Sequence, residues 1–544
     1  TASVLGLLVL GQSVTGASIP NTPWKQRLQE RAEQYHGPSR PYVENPSRAA
    51  AVRKTFDISW DGYYKYAFPH DSLRPGNNSW YDDRNGWGAS AVDALSTALI
   101  MRDALPIAQI LDHIRTINFD NTTTEVSLFE TTIRYLGGLI SGTHRLLPYD
   151  LLTGPLADIY GPKENFTVIL DQATRLADNL AIAFFTATGI PDNSLRWNPP
   201  RPAGSSTNGI ATIGTLVLEW TRLSDLTGNP RYGLLAQRGE DYLIHPRNPD
   251  VGEPFPGLLG TNVGIHNGTF VDSSGGWGGS DDSFYEYLIK MYLYDPVRFE
   301  EYKERWIDAA ESSIAYLVSH PTSRADLTFL AMWDNATSLN FVSEHLACFN
   351  GGNFILGGLT LDEPRYVQFG LMLVESCHET YTATATGIGP EVFRWRDSMT
   401  PFDAINNAPP PANQSAFYDA NGFWIQSSYY VLRPEVVESI YYAYRATGDP
   451  KYQEWAWNAF LAVNKTCATG SGYSTIRDVN KPDGGGFTNF QESFWFAEVL
   501  KYSYLIHAPE SPWQVKADHT NEFVFNTEAH PVRIFGGSER TANR

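Results

Sequence analysis

LRPEVVESIYYAYRATGDP, residues 432–450, decides the architecture. Val436, Val437, Ile440, Tyr441 and Tyr444 recur at intervals of three and four, which marks one apolar helical face. Thr447-Gly448-Asp449-Pro450 then stops the helix. Glycine just past the last turn tolerates the left-handed conformation, and proline cannot continue the helix. Tyr452 follows at once and a new helical pattern begins. The same punctuation occurs at Thr188-Gly189-Ile190-Pro191 and Thr227-Gly228-Asn229-Pro230, with Tyr232 after the latter, and Tyr294-Asp295-Pro296 makes a similar stop. Val126, Phe129, Ile133, Leu136 and Ile140 predict another apolar helical face. Helix, tight turn, helix is therefore the repeating unit. The units are irregularly spaced, so long loops are inserted, as at Ala408-Pro409-Pro410-Pro411-Ala412 and Asp483-Gly484-Gly485-Gly486. The reading is an all-α toroid of helix pairs.

The bulk numbers agree with one large core. The chain has 544 residues, 42% of them hydrophobic, and no linker that cuts it convincingly. Its 41 basic and 60 acidic residues give 41 − 60 = −19, a balance unsuited to neutralising rows of phosphates, so no nucleic-acid partner is expected. Thr1 to Leu10 (TASVLGLLVL) and the small residues up to Ser18 resemble the apolar region and cleavage site of a secretory leader. That run falls short of the ~20 apolar residues a membrane span needs, and nothing later reaches that length without charges. The expectation is a leader remnant at 1–17 and one domain over 18–544, with its core at about 50–535. Sequons at Asn77, Asn121, Asn165, Asn267, Asn335, Asn413 and Asn464 support a secretory-pathway protein, and three cysteines are too few for a disulfide scaffold.

Acidic residues recur inside apolar or aromatic helical stretches: Glu130, Asp282, Glu286, Glu435, Glu438, Glu492, Glu498 and Glu528. Carboxylates are rarely buried without a partner or a task. One alone reads as solvated or salt-bridged; so many together read as a carboxylate-lined cleft. Glu130 and Arg134 stand four apart, so they share a helix face. Pro434 suits a helix start, which puts Glu435 in a first turn where the macrodipole favours an anion, with Glu438 one turn on. A base kept ionised and an acid kept protonated among aromatics is the two-carboxylate logic of a glycosidase. No nucleophile elbow, phosphate loop or paired Cys-x-x-Cys occurs, and His345, His378 and His530 show no zinc-like spacing.

At these residues the chain resembles the class I α-1,2-mannosidases, glycoside hydrolase family forty-seven, especially the secreted fungal members. The resemblance rests on YAFPHDSLRP (66–75), GWGASAVDAL (86–95), SLFETTIRYLGGL (127–139), DDSFYEYL (281–288), HLACFNGG (345–352), TGIGPE (386–391), the opening stretch, QESFWFAEVLKY (491–502) and FNTEAHP (525–531). It implies an (αα)7 barrel plugged by a small β-hairpin. It also implies an inverting enzyme that removes α-1,2-linked mannose from high-mannose N-glycans down to the five-mannose form. Glu130 matches the family's proton donor, acting through a water, and Glu435 the base. Asp282 and Glu391 match further catalytic carboxylates. Thr527 matches the Ca²⁺ ligand. Arg134, Glu219, Glu286, His345, Arg433, Glu438, Phe494, Glu498 and Glu528 match substrate-binding positions. Cys348 and Cys377 match a disulfide pair, which leaves Cys467 over. The expected protein is monomeric, and it is secreted or resident in the secretory lumen.

One departure concerns specificity. Where the endoplasmic-reticulum type has an arginine that restricts cleavage to one mannose, this chain has Ser280, which implies broad trimming. Two other readings compete. One is a glycan-binding quality-control homologue with little catalysis; the other is a barrel glycosidase acting on another polysaccharide. Loss of Glu130, Asp282 or Glu435 would favour the first, and all three are present. Absence of the FNTEAH stretch would favour the second.

Overall fold

The computed structural model describes residues 23–143 and 164–536. The expected leader, 1–17, lies outside them, as does the side chain of Asn165. Among the described residues, fourteen principal helices alternate between two concentric layers. The outer layer comprises Pro46–Tyr66, Ala104–Thr116, Glu164–Leu180, Arg231–Ile244, Glu300–Ser312, Pro364–Thr382 and Pro450–Cys467. The inner layer comprises Ala89–Met101, the helical run 128–142, Val217–Thr227, Asp282–Tyr294, Phe349–Leu361, Glu435–Thr447 and the run 495–505. Each inner helix packs on the next around a ring, and the run 495–505 closes it against Ala89–Met101. This is an (αα)7 barrel.

Sequence explains which helix goes where. Every residue of Ala89–Met101 is buried, as is all of Glu435–Thr447 but its last residue. A helix with no face left to solvent needs neighbours on every side. Arg231–Ile244 instead buries a stripe, including Tyr232, Ala236, Gly239 and Leu243, and leaves its other face to solvent. Small residues permit the closest pair. A Cβ on Gly370 would lie 2.6 Å from the Gly351 carbonyl oxygen, so helices Phe349–Leu361 and Pro364–Thr382 touch backbone to backbone. Cys348 and Cys377 are bridged across this pair with Cα atoms 6.0 Å apart, and Cys467 is a buried free thiol. A bridge closing such a loop stabilises by about 3–4 kcal/mol.

The stop signals act as expected at Gly228 (φ 73°) and Gly448 (φ 66°), both left-handed caps. Three local expectations need correction. Before Thr188 the helical backbone has already tightened into the 3-10 turn Ala181–Phe184, so that stop lies beyond the helix. Val126 is a strand residue paired with Leu195, and the helix begins at Leu128, where the Ser127 side chain caps the Glu130 N–H. Pro434 occupies the cap position itself, and Glu435 is the first helical residue.

Short strands decorate the loops in two- and three-stranded sheets. Two matter for the site. Val342–Glu344, Val392–Arg394 and Trp424–Ser427 form one antiparallel sheet, which leads directly into His345. Phe523–Phe525 and Pro531–Arg533 form a buried antiparallel hairpin that packs on Asp282–Tyr294 and on Gly137–Gly142. It plugs the barrel, and its turn, Asn526 to His530, reaches the interior. Among the described residues no helix is long and apolar enough to cross a membrane.

Candidate active site

Inner and outer helices alternate in antiparallel pairs, so all inner helices run the same way and their N-termini gather at one end of the barrel. Glu130, Asp282 and Glu435 stand at the starts of three of them, and Phe494 immediately precedes a fourth. Each N-terminus presents the positive end of a helix dipole, which favours anions there. Arg134, Glu286, Glu438 and Glu498 follow three or four residues later, about 5–6 Å deeper at 1.5 Å per residue. Thr527 and Glu528, on the hairpin turn, form the floor. All of these residues line one cavity of about 450 Å³, together with Ser280, Arg433, Arg84 and Glu492. A second opening of about 520 Å³, beside Tyr64, Phe68 and His113 on the outer layer, holds none of these carboxylates.

Three expected residues stand behind the wall. His345 Nδ1 lies 2.8 Å from Glu435 Oε2, and its Nε2 lies 2.7 Å from the Tyr381 hydroxyl. Glu391 takes a forked pair of hydrogen bonds from Arg433 at 2.7 and 2.8 Å, and Arg433 in turn lies 3.8 Å from Glu435. Leu432, at φ 61°, is held in a left-handed conformation rare for leucine just before Arg433. Glu219 accepts from the Tyr287 hydroxyl at 2.7 Å and from Asn526 Nδ2 at 2.8 Å, so it braces the floor from the side.

The wall opposite Glu435 is built on arginine. Arg134 donates to Glu130 at 2.8 Å, bonds Glu528, lies 3.6 Å from Asp93 and stacks its guanidinium 5.5 Å from the Phe494 ring centre. Arg84 lies 3.6 Å from Glu130. Arg84, Glu344, Asp93, His530 and Asn526 went unassigned in the sequence. Arg84 and Glu344 sit on loops and strands without helical periodicity. Asp93, Asn526 and His530 lay inside stretches already quoted, with no neighbouring residue to single them out. Glu492 was visible as one of the acidic residues among aromatics.

Electrostatics sorts the carboxyls into two kinds. Burial raises Glu130 and Glu435, but each is pulled below its ordinary value overall. Arg134 and Arg84 do this for Glu130, and His345 and Arg433 do it for Glu435. Burial, reinforced by the charges of Glu286, Glu344 and Glu435, pushes Asp282 up to about 7 against the Ser283 N–H. Burial likewise pushes Glu219 and Glu492 to about 7, and burial with the Glu286 charge pushes Glu438 to about 8. Glu498 and Glu528 lie well above the carboxylate range, chiefly through burial, Glu498 also through the charge of Glu528. The cavity therefore holds the ionised Glu130 and Glu435 together with a protonated Asp282, and its deeper part is lined by buried carboxyls that resist ionisation.

The sequence model of glycosyl hydrolase family 47 matches residues 55–534, nearly all of the barrel. The chain belongs to that family. It is 55% identical over 489 residues to the mannosyl-oligosaccharide alpha-1,2-mannosidase of Coccidioides posadasii, covering 90% of this chain and 91% of that protein. It is 52% identical over 505 residues to the mannosyl-oligosaccharide alpha-1,2-mannosidase 1B of Aspergillus phoenicis, covering 92% of this chain and 95% of the relative. The solved structure of the alpha-1,2-mannosidase from Trichoderma reesei superposes with a TM-score of 0.86 at 53% identity, covering 90% of this chain and all of that one. In this family 47 member, the cavity at the N-terminal end of the inner helices is the candidate active site.

Proposed function

We propose that this family 47 protein is an exo-acting α-1,2-mannosidase that removes terminal mannose from high-mannose N-glycans with inversion, down to the five-mannose form. The observation that carries this reading is the ionised Glu435 and the protonated Asp282 lining one cavity. It is supported by relatives that are more than half identical to the chain over the aligned residues and are named for this activity.

In this reading Glu435 is the base. His345 and Arg433 hold it as an anion, so it can take a proton from a water that attacks the anomeric carbon. The departing glycosidic oxygen must receive a proton, and two carboxyls are available for it. Asp282 is protonated in the free site, and Glu130, clamped by Arg134, would act through a water. Phe494, with one face on Arg134, offers apolar surface to the sugar ring. Glu391, held to Arg433, acts through that arginine on the base.

The floor suits calcium. Glu438, Glu498 and Glu528 are buried with raised pKa values although Lys290, Arg134 and Lys501 stand near them, so a divalent ion would favour their ionised form and the waters they order. Among the described residues no three His, Cys, Asp or Glu side chains converge to bind a metal ion directly. Thr527, whose oxygens are hard donors, would therefore hold the ion, with Glu286, Glu438, Glu498 and Glu528 ordering waters around it. When bound, calcium supplies Lewis acidity toward vicinal mannose hydroxyls and favours a distorted ring.

The N-terminal apolar run and the sequons support a secretory-pathway location, and the closed ring needs no second chain to complete the cavity, which supports a monomer. A time course on a nine-mannose glycan, with and without a chelator, tests the reading. Release of single mannoses down to five, abolished by chelation and restored by Ca²⁺, is expected; glycan binding without release would overturn it.

A further inference from the structure

The floor turn is held from below by groups that do not line the cavity. Lys501, on the inner run 495–505, is completely buried. Its ammonium donates to Ser96 Oγ at 2.8 Å and to the Ala529 carbonyl. Ser96 Oγ lies 2.9 Å from His530 Nδ1, and His530 Nε2 lies 3.2 Å from Asp93 Oδ1. Asp93 lies 3.6 Å from Arg134, the residue that binds both Glu130 and Glu528.

Donor chemistry gives this chain one direction. The ionised Asp93 can only accept, so Nε2–H of His530, kept neutral by burial, donates to it. Nδ1 then accepts from the Ser96 hydroxyl, whose oxygen accepts from Lys501. The ring is thus oriented between Asp93 and a serine that Lys501 holds. Ala529 stands at φ 54°, a left-handed conformation uncommon for a residue with a side chain. Such a backbone persists only when its surroundings enforce it. Lys501 grips its carbonyl, while Asn526 Oδ1 accepts from the Glu528 and His530 N–H groups at 2.9 and 2.7 Å. Burying a lysine costs free energy unless its donors are used. Here two of them are used on the turn and its support.

We propose that Lys501 is a positioning residue for the floor: through Ala529 and the Ser96–His530–Asp93 chain it fixes the turn that presents Thr527 and Glu528 to a bound Ca²⁺. The proposal rests on the calcium reading above. Groups that orient metal ligands from behind typically change metal affinity by about 10–100-fold when removed.

The test is calorimetric titration of calcium chloride into the full chain, for wild type, Lys501→Met and Ser96→Ala, with the calcium-free melting temperature of each. Expected is a calcium Kd weakened about 10-fold or more in Lys501→Met and in the same direction in Ser96→Ala. A purely structural role would lower the melting temperature and leave the Kd alone. A folded variant of either kind that binds calcium as wild type does overturns the proposal. If Lys501→Met fails to fold, Ser96→Ala decides, because it removes one hydroxyl and little volume. Wild type that binds no calcium would instead sink the calcium reading, and this inference with it.

Discussion

Nδ1 of the His345 ring lies 2.8 Å from Glu435 Oε2, and Nε2 of the same ring meets the Tyr381 hydroxyl at 2.7 Å. Both contacts are met when Nδ1–H donates to the carboxylate and the Tyr381 hydroxyl donates to Nε2. The carboxylate so held is ionised and aimed, which is what water activation needs. Glu435→Gln keeps the shape and loses the base. We expect the fold and sugar binding to persist while kcat falls by about 10²–10⁴-fold. Proton NMR of fresh product from the wild type should show β-mannose first; α-mannose first would mean retention and remove Glu435 from the role of base.

The pH profile should be bounded by the two kinds of carboxyl. Glu435 lies below the ordinary glutamate value, so the base limb falls away only in acid. Asp282 lies at about 7, so activity that needs its proton declines as pH rises through neutrality. Asp282→Asn should lose activity together with that alkaline limb. Glu130→Gln should lose activity but, in what remains, keep the limb. Measuring kcat/KM from pH 4 to 9 for the three proteins checks this division; an alkaline limb that disappears in Glu130→Gln instead would place the proton on Glu130.

The barrel was legible because its signals are local. The apolar face of 436–444 and the glycine stop at Gly448 need only neighbours in sequence, and both act in the structure as written. Val126 misled because one apolar residue fits a helix face and a strand equally well, and its pairing with Leu195 is a long-range choice. At the site, Glu130, Asp282 and Glu435 stood out as carboxylates inside apolar or aromatic stretches, Glu435 also as one beside a helix-starting proline, but only the family resemblance gave them separate roles. Arg84 could not, since it sits on a loop and meets Glu130 only through the tertiary fold. The same applies to Lys501, which reads as an ordinary lysine until Ser96 and Ala529 are brought to it.

Stability should depend on pH and calcium together. Glu438 at about 8, Glu219 and Glu492 at about 7, and Glu498 and Glu528, also raised well above the ordinary glutamate value, hold protons in the calcium-free fold at mildly acidic pH. In the unfolded chain ordinary glutamates lose that proton near pH 4.3. Between those values the native state binds more protons than the unfolded state, so stability falls as pH rises. The chelated protein should therefore melt at a lower temperature at pH 8 than at pH 6. Added Ca²⁺ should raise the melting temperature more at pH 8, where it offsets buried negative charge rather than competing with protons. A calcium-induced rise that is larger at pH 6 would contradict the charge-compensation account of the floor.

Specificity should turn on Ser280, which lines the cavity two residues before Asp282. The backbone there is tightly determined: Ser280 has φ 83°, its carbonyl accepts from Ala211 N–H at 3.0 Å, and the preceding Gly279 N–H donates to Glu344 at 3.0 Å. Its side chain is short and exposed, so the mouth stays open to several branches of a glycan. Ser280→Arg keeps the same left-handed backbone at similar strain and places a long cation over the opening, beside Asp282 and Glu344. Trimming of a nine-mannose glycan should then narrow toward removal of one mannose, with little change in melting temperature. Ser280→Gly relieves the backbone conformation without filling the mouth, so it should trim as broadly as wild type. Glycan profiling over a time course separates the cases. If the unmodified protein itself stops after one mannose, a small residue at this position does not set the breadth of trimming, and another part of the rim must.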